Sequence, residues 1–212
     1  MATPQVHADA VPAQVKRGAP IHPVWVRVTH WLNALAAIAM MMSGWQIYDA
    51  SPIFSSFMFP PSITLGGWLA GALQWHFAAM WLLIFNGLVY LALNLATGRI
   101  VRKFFPLSPA ALGRDLVSAL TGKLSHDDLS KYNYVQKLLY AGIIVVGIVI
   151  VLSGLSIWKP VQLQWLTALF GGYDVARYVH FFCMAAIVAF MVVHVALAVL
   201  VPRSLRAMIL GR

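Results

Sequence analysis

Four stretches of the chain run for about twenty residues without an Asp, Glu, Lys or Arg: roughly Val28 to Tyr48, Trp75 to Leu95, Leu138 to Trp158 and Tyr178 to Val201. A helix needs about 20 apolar residues to cross the hydrocarbon core of a bilayer, so each run predicts one transmembrane span. Soluble core helices are the competing reading. Four such runs in 212 residues leave too little polar surface to cover a soluble domain.

The segments between the runs have their own patterns. "DASPIFSSFMFPPSITLGGW", rich in Pro, Ser and Gly, is expected to cover one end of the bundle. In "KPVQLQWLTALFGGYDVAR" the apolar stretch Val161 to Phe170 predicts a short interfacial helix ended by Gly171 and Gly172. The polar segment from Thr97 to Gln136 places Leu112, Leu116, Val117 and Leu120 on one helical face beside Arg114 and Lys123, which predicts a helix lying on the membrane surface. The opening "MATPQVHADAVPAQVKRGAP" lacks the apolar core of a signal peptide. It reads as a flexible cytoplasmic tail over 1–20, ahead of a four-helix transmembrane domain over 21–212.

Composition agrees, with 61% hydrophobic and 10% charged residues against about a quarter charged in soluble domains. The net charge of +9 is distributed unevenly. Thirteen basic residues, from Lys16, Arg17 and Arg27 to Arg203, Arg206 and Arg212, fall before span one, between spans two and three, or after span four, and only Lys159 and Arg177 fall in the opposite loops. Basic loops stay in the cytoplasm, so both termini and the middle loop are expected there. Topology and attraction to anionic lipid account for the charge without a nucleic-acid partner, and no nucleic-acid motif is present. Most tryptophans, Trp45 among them, fall near span ends and read as interface anchors. The single cysteine, Cys183, excludes an intrachain disulfide and a CxxCH heme attachment; inside span four it reads as a small hydrophobe.

The chemistry lies in the histidines. His7 and His126 sit in polar segments and His22 precedes Pro23, whereas His30, His76, His180 and His194 lie within the apolar runs. A lone histidine in a span can simply bond a neighbouring carbonyl, but ionisable groups there are costly and point to function. With the N-terminus inside, His30 and His194 come to the cytoplasmic depth and His76 and His180 to the outer depth. Two layers of two imidazoles result. The fourteen residues between His180 and His194 make about 3.9 turns and a rise of roughly 21 Å, so both project from one face.

That arrangement suits two stacked metal groups, each held by two trans imidazoles with its other positions already filled: bis-histidine heme, noncovalent and b-type without CxxCH. Zinc would need further ligands at each layer, and a proton relay would recruit carboxylates that the spans lack. Gly44 and Gly154 at the outer layer, with Gly87 and Gly142 at the inner, could clear room for a flat cofactor or serve ordinary helix packing. Arg27 and Arg177, each within a turn of a histidine, are placed either to pair with heme propionates or to anchor at the interface.

These motifs resemble the prokaryotic di-heme cytochromes b that include the cytochrome subunits of nickel-iron hydrogenases, formate dehydrogenases and thiosulfate reductases. The likeness rests on "HPVWVRVTHWLNALA", "WHFAAMWLLIFNGLVYLALNLATGR", "YNYVQKLLYAG" and "YVHFFCMAAIVAFMVVH", and covers roughly Ile21 to Arg212. Within the family, "ALGRDLVSAL…YNYVQKLLYAG" places the chain with four-helix members that accompany periplasmic molybdopterin oxidoreductases. The resemblance implies an all-α integral membrane four-helix bundle of the inner membrane with two stacked b hemes. His30, His76, His180 and His194 would be their axial ligands. It further implies a periplasmic redox protein as partner, a molybdopterin oxidoreductase or similar, and quinone chemistry near the inner heme, where Arg27, Asn33, Tyr132 and Asn133 could supply contacts.

Three rivals remain at this stage. One is a hydrogenase cytochrome subunit, although a fifth span common in that group is absent. Another is a stand-alone superoxide:quinone oxidoreductase, disfavoured because the outer loops balance Lys159 and Arg177 against Asp49 and Asp174. The third is a heme-free channel or assembly protein.

Overall fold

Hydrocarbon offers no partner to a backbone amide, so a spanning chain must satisfy its N–H and C=O groups within its own helices. A computed structural model describes residues 22–98 and 134–211. The four apolar runs form the long helices α1 (Val24–Ala50), α2 (Leu69–Ala96), α3 (Tyr134–Trp158) and α5 (Tyr173–Leu200). The short α4 (Gln164–Leu169) joins α3 to α5, and α6 (Pro202–Leu210) follows α5. Each long helix begins before the predicted span, because the hydrocarbon length limits the apolar run and not the helix. The expected tail and middle-loop helix, with Tyr132 and Asn133, lie outside the described residues.

The helices pack as two hairpins, α1 on α2 and α3 on α5, while the other pairings of long helices touch little. Lipid removes the hydrophobic drive between helices, so contacts favour small residues that allow close approach and polar ones that bond across. Ala36 and Ser43 of α1, Ala72 and Ala79 of α2, Ser153 and Ser156 of α3, and Ala176 of α5 are accordingly buried. Asn86 of α2 donates through Nδ2 to the Thr29 carbonyl and to Asn33 Oδ1 of α1, both at 2.7 Å. Large apolar side chains such as Leu35, Phe85, Leu88 and Val192 are exposed, the pattern a lipid-facing surface requires.

The connection over 51–68 folds back over the end of α1, as its composition led us to expect. The Phe59 amide donates to Asp49 at 2.9 Å, the Thr64 hydroxyl to Gln46 at 2.8 Å and the Leu65 amide to the Met42 carbonyl at 3.0 Å. Phe54 meets Tyr178 and Phe181 of α5 edge-on, and Phe59 stacks on Trp45 with centroids 5.0 Å apart. Trp45 also donates from Nε1 to Met184 Sδ at 3.3 Å, so beyond its place near a span end it ties α1 to α5. A Cβ on Gly66, at φ +113°, would lie 2.3 Å from the Ala72 nitrogen, a conformation and a contact open to glycine alone.

The interfacial helix expected over Val161 to Phe170 is α4, and Gly171 and Gly172 follow it with φ of +85° and +112°. The sequence reading did not anticipate α6. Its signals were a proline at its first position and Gly211 in the left-handed region just beyond its end.

Candidate cofactor-binding core

His30 lies in the second turn of α1 and His194 in the penultimate turns of α5. Antiparallel packing of these helices brings the two rings together, with centroids 6.0 Å apart and planes inclined by 60°. Aromatic neighbours frame the pair: Trp31 meets His30 edge-on at 5.5 Å, and Phe190 stacks on His194 at 5.7 Å.

His76 and His180 occupy equivalent places, each in the second turn after an outer connection, on α2 and α5. The structure brings the His30 and His194 rings together, while His76 and His180 each face a serine of the helix they pack on. His76 Nδ1 is 3.1 Å from Ser43 Oγ of α1. His180 Nδ1 is 3.1 Å from Ser153 Oγ and 3.0 Å from the Ile150 carbonyl of α3. Neither serine was singled out from the sequence as a site residue. Their signal was a repeated Ser-Gly pair, Ser43-Gly44 and Ser153-Gly154, at matching depth in α1 and α3.

The glycines have a more specific role here than porphyrin clearance. A Cβ on Gly44 would meet His76 Cε1 at 3.5 Å, and one on Gly154 would meet His180 Cε1 at 3.1 Å. Gly154 therefore admits the edge of the His180 imidazole, whereas a Cβ at Gly44 would make ordinary contact with His76. Gly87 and Gly142 border open space instead.

The two arginines each reach the C-terminal end of a helix. Arg27 Nη1 donates to the Ile209 carbonyl in the last turn of α6 at 2.8 Å, and Arg177 Nη2 donates to the carbonyl and hydroxyl of Ser51, the residue capping α1. A guanidinium at the negative end of a helix dipole is favourable in its own right. Its five donors still leave some for a further acceptor. Arg27 Nε is buried without a partner among the described residues. Asn33, considered as a quinone contact, bonds Asn86 across the α1–α2 interface.

These residues fit b heme. The two histidine pairs supply two nitrogen donors each, and no group of three or more His, Cys, Asp or Glu comes together among the described residues, which is too few donors for a protein zinc site. The buried Arg27 Nε, one turn from His30, lacks an acceptor such as a propionate.

A bundle of apolar helices carrying paired imidazoles between two hairpins defines a membrane cytochrome of the b type. The chain belongs to the prokaryotic cytochrome b561 family, whose model matches residues 21–211. It is also 61% identical over 191 residues to the "Putative protein-methionine-sulfoxide reductase subunit YedZ1" of Azospira oryzae, covering 90% of this chain and 96% of that relative. No solved structure matches it. The protein is therefore a heme-binding, electron-transferring subunit of the bacterial inner membrane.

Proposed function

We propose that this chain carries two b hemes and passes electrons from the quinone pool to a periplasmic molybdopterin-dependent oxidoreductase. His30 and His194 would hold the inner heme, and His76 and His180 the outer one. The observation that carries this reading is the 6.0 Å opposition of His30 and His194, on helices of different hairpins. The hemes supply one-electron storage; the protein holds them in a low-dielectric bundle, sets their potentials and excludes water.

The relative's name favours a reductase of oxidised protein methionine as the partner class. A reductase consumes electrons, so net flow would run outward from quinol. The aromatic lid of Phe54, Phe57 and Phe59 over the outer end would shield the outer layer from water. Arg27, at the inner end, lies beside a groove of about 440 Å³ lined by Val28, Trp31, Leu32 and Leu35 of α1 and by Met208 and Ile209 of α6. An apolar groove with one cationic group suits a quinone headgroup.

The test is reduction of the purified protein by a quinol analogue, followed by reoxidation with the periplasmic partner and methionine sulfoxide. Two b hemes per chain, reduced and then reoxidised, is the expected result. No b-type absorption would overturn the reading outright. Reduction by superoxide at a near diffusion-limited rate, with none by quinol, would favour the stand-alone oxidoreductase.

A further inference from the structure

We propose that Ser43 and Ser153 are a matched pair of positioning residues that fix both outer-layer histidines with the proton on Nδ1, presenting a bare Nε2 from each side. The inference rests on the assignment of His76 and His180 as ligands of one outer heme. It adds how they are oriented and tuned.

The direction of each hydrogen bond follows from what each atom can do. A backbone carbonyl only accepts, and a serine hydroxyl has one proton to donate and two lone pairs. Ser43 Oγ lies 2.6 Å from the Ala39 carbonyl and 3.2 Å from that of Met40, so its proton is directed into its own helix. Its remaining capacity toward His76 Nδ1, at 3.1 Å, is as an acceptor. Ser153 Oγ likewise donates to the Ile150 carbonyl at 3.1 Å and faces His180 Nδ1 at 3.1 Å. The Ile150 carbonyl, 3.0 Å from the same Nδ1, independently requires a proton there. Both imidazoles therefore carry hydrogen on Nδ1, and the hydrogen bond made by one ring nitrogen decides that the other is free to bind metal.

The arrangement is built twice. In α1 and in α3 a carbonyl-bonded serine is followed by a glycine that leaves space for the same ring's Cε1. Both serines are fully buried. The inner layer is held differently: His30 and His194 have aromatic neighbours and no side-chain hydrogen bond among the described residues. Donation from Nδ1–H raises the basicity of a metal-bound imidazole and so favours the oxidised metal. The outer heme should accordingly be held at a lower potential than its ligands alone would set, and the inner heme should not feel either serine.

The experiment is potentiometric titration of both hemes in the full-length protein, with low-temperature electron paramagnetic resonance of the oxidised form. Ser43→Ala and Ser153→Ala are each expected to shift the outer heme about threefold to tenfold toward the reduced form, an upward move of roughly 30 to 59 mV for one electron. The double variant should move it by about the sum, since the serines act on opposite ligands of one iron. Ser43→Thr and Ser153→Thr keep the hydroxyl and should restore the wild-type value. Ser156→Ala is the control: it is equally buried on α3, but its hydroxyl bonds Thr167.

Loss of the outer heme alone in the alanine variants, recovered with threonine, would equally support the proposal. An unmoved outer potential and unchanged resonance in both alanine variants would overturn it, as would equal effects on both hemes or the same effect from Ser156→Ala. A wild-type protein with no outer heme would instead fail the reading on which the proposal rests.

Discussion

His30 of α1 and His194 of α5 hold their imidazole centroids 6.0 Å apart, joining helices of different hairpins. These two imidazoles would hold one heme iron between them, the group supplying one-electron chemistry. The pairing gives a direct test. His30→Ala and His194→Ala should each leave one heme per chain with the same reduced-minus-oxidised spectrum, and their double variant should retain that heme. His76→Ala and His180→Ala should retain the other. A spectrum shared by His30→Ala and His180→Ala would contradict the arrangement.

The two glycines beside the outer histidines should differ in tolerance. An added methyl at Gly154 would press within 3.1 Å of His180 Cε1, whereas at Gly44 it would make ordinary contact with His76 at 3.5 Å. Gly154→Ala is expected to cost about 1–3 kcal/mol through overpacking. Gly44→Ala should be neutral or stabilising by up to about 1 kcal/mol, the helix-propensity advantage of alanine. Thermal unfolding in detergent with heme content as a second readout would distinguish them.

Asn86 bridges the α1–α2 hairpin by two hydrogen bonds to groups of α1. Interhelical hydrogen bonds in membranes average about 0.6 kcal/mol and reach about 1.7. Asn86→Leu is expected to lower stability within that range while leaving both hemes in place. Asn33→Ala removes one of the two bonds and should cost less. Denaturant titration of the two variants side by side measures the difference.

At the outer surface Arg177 faces two partners of unequal worth. Asp174, 84% exposed at 4.0 Å, forms a pair of the kind that contributes little in water. The Ser51 carbonyl ends α1, where a cation contributes about 0.3–1 kcal/mol. Arg177→Gln should speed chymotrypsin cleavage in the Phe54–Phe59 segment, and Asp174→Asn should not. Equal effects would mean that the ion pair, and not the cap, holds the loop.

The four spans, the two outer connections and the four intramembrane histidines were legible in the sequence. The bilayer imposes a minimum apolar length, and an imidazole inside such a run stands out against it. The meeting of His30 with His194 was legible too, because alternating spans convert sequence position into depth. Ser43 and Ser153 were not, since a serine in a membrane helix is most simply read as packing. Arg27 was singled out for its place one turn before His30, but its bond to Ile209 depends on α6, whose Pro202 start and Gly211 end are weak signals by themselves.

Length, apolarity and the placement of charge by themselves determined that this protein is a membrane bundle with imidazoles at two depths. Those properties are local to each span. Only the tertiary structure decided which atoms meet: that Gly154 makes room for the His180 edge, that Asn33 belongs to a helix contact, and that serines of α1 and α3 bond the imidazoles of His76 and His180. The physical reason is rotation about the helix axis. Hydropathy sets how deep a residue lies, but in a segment apolar on every side it says little about the direction its side chain faces.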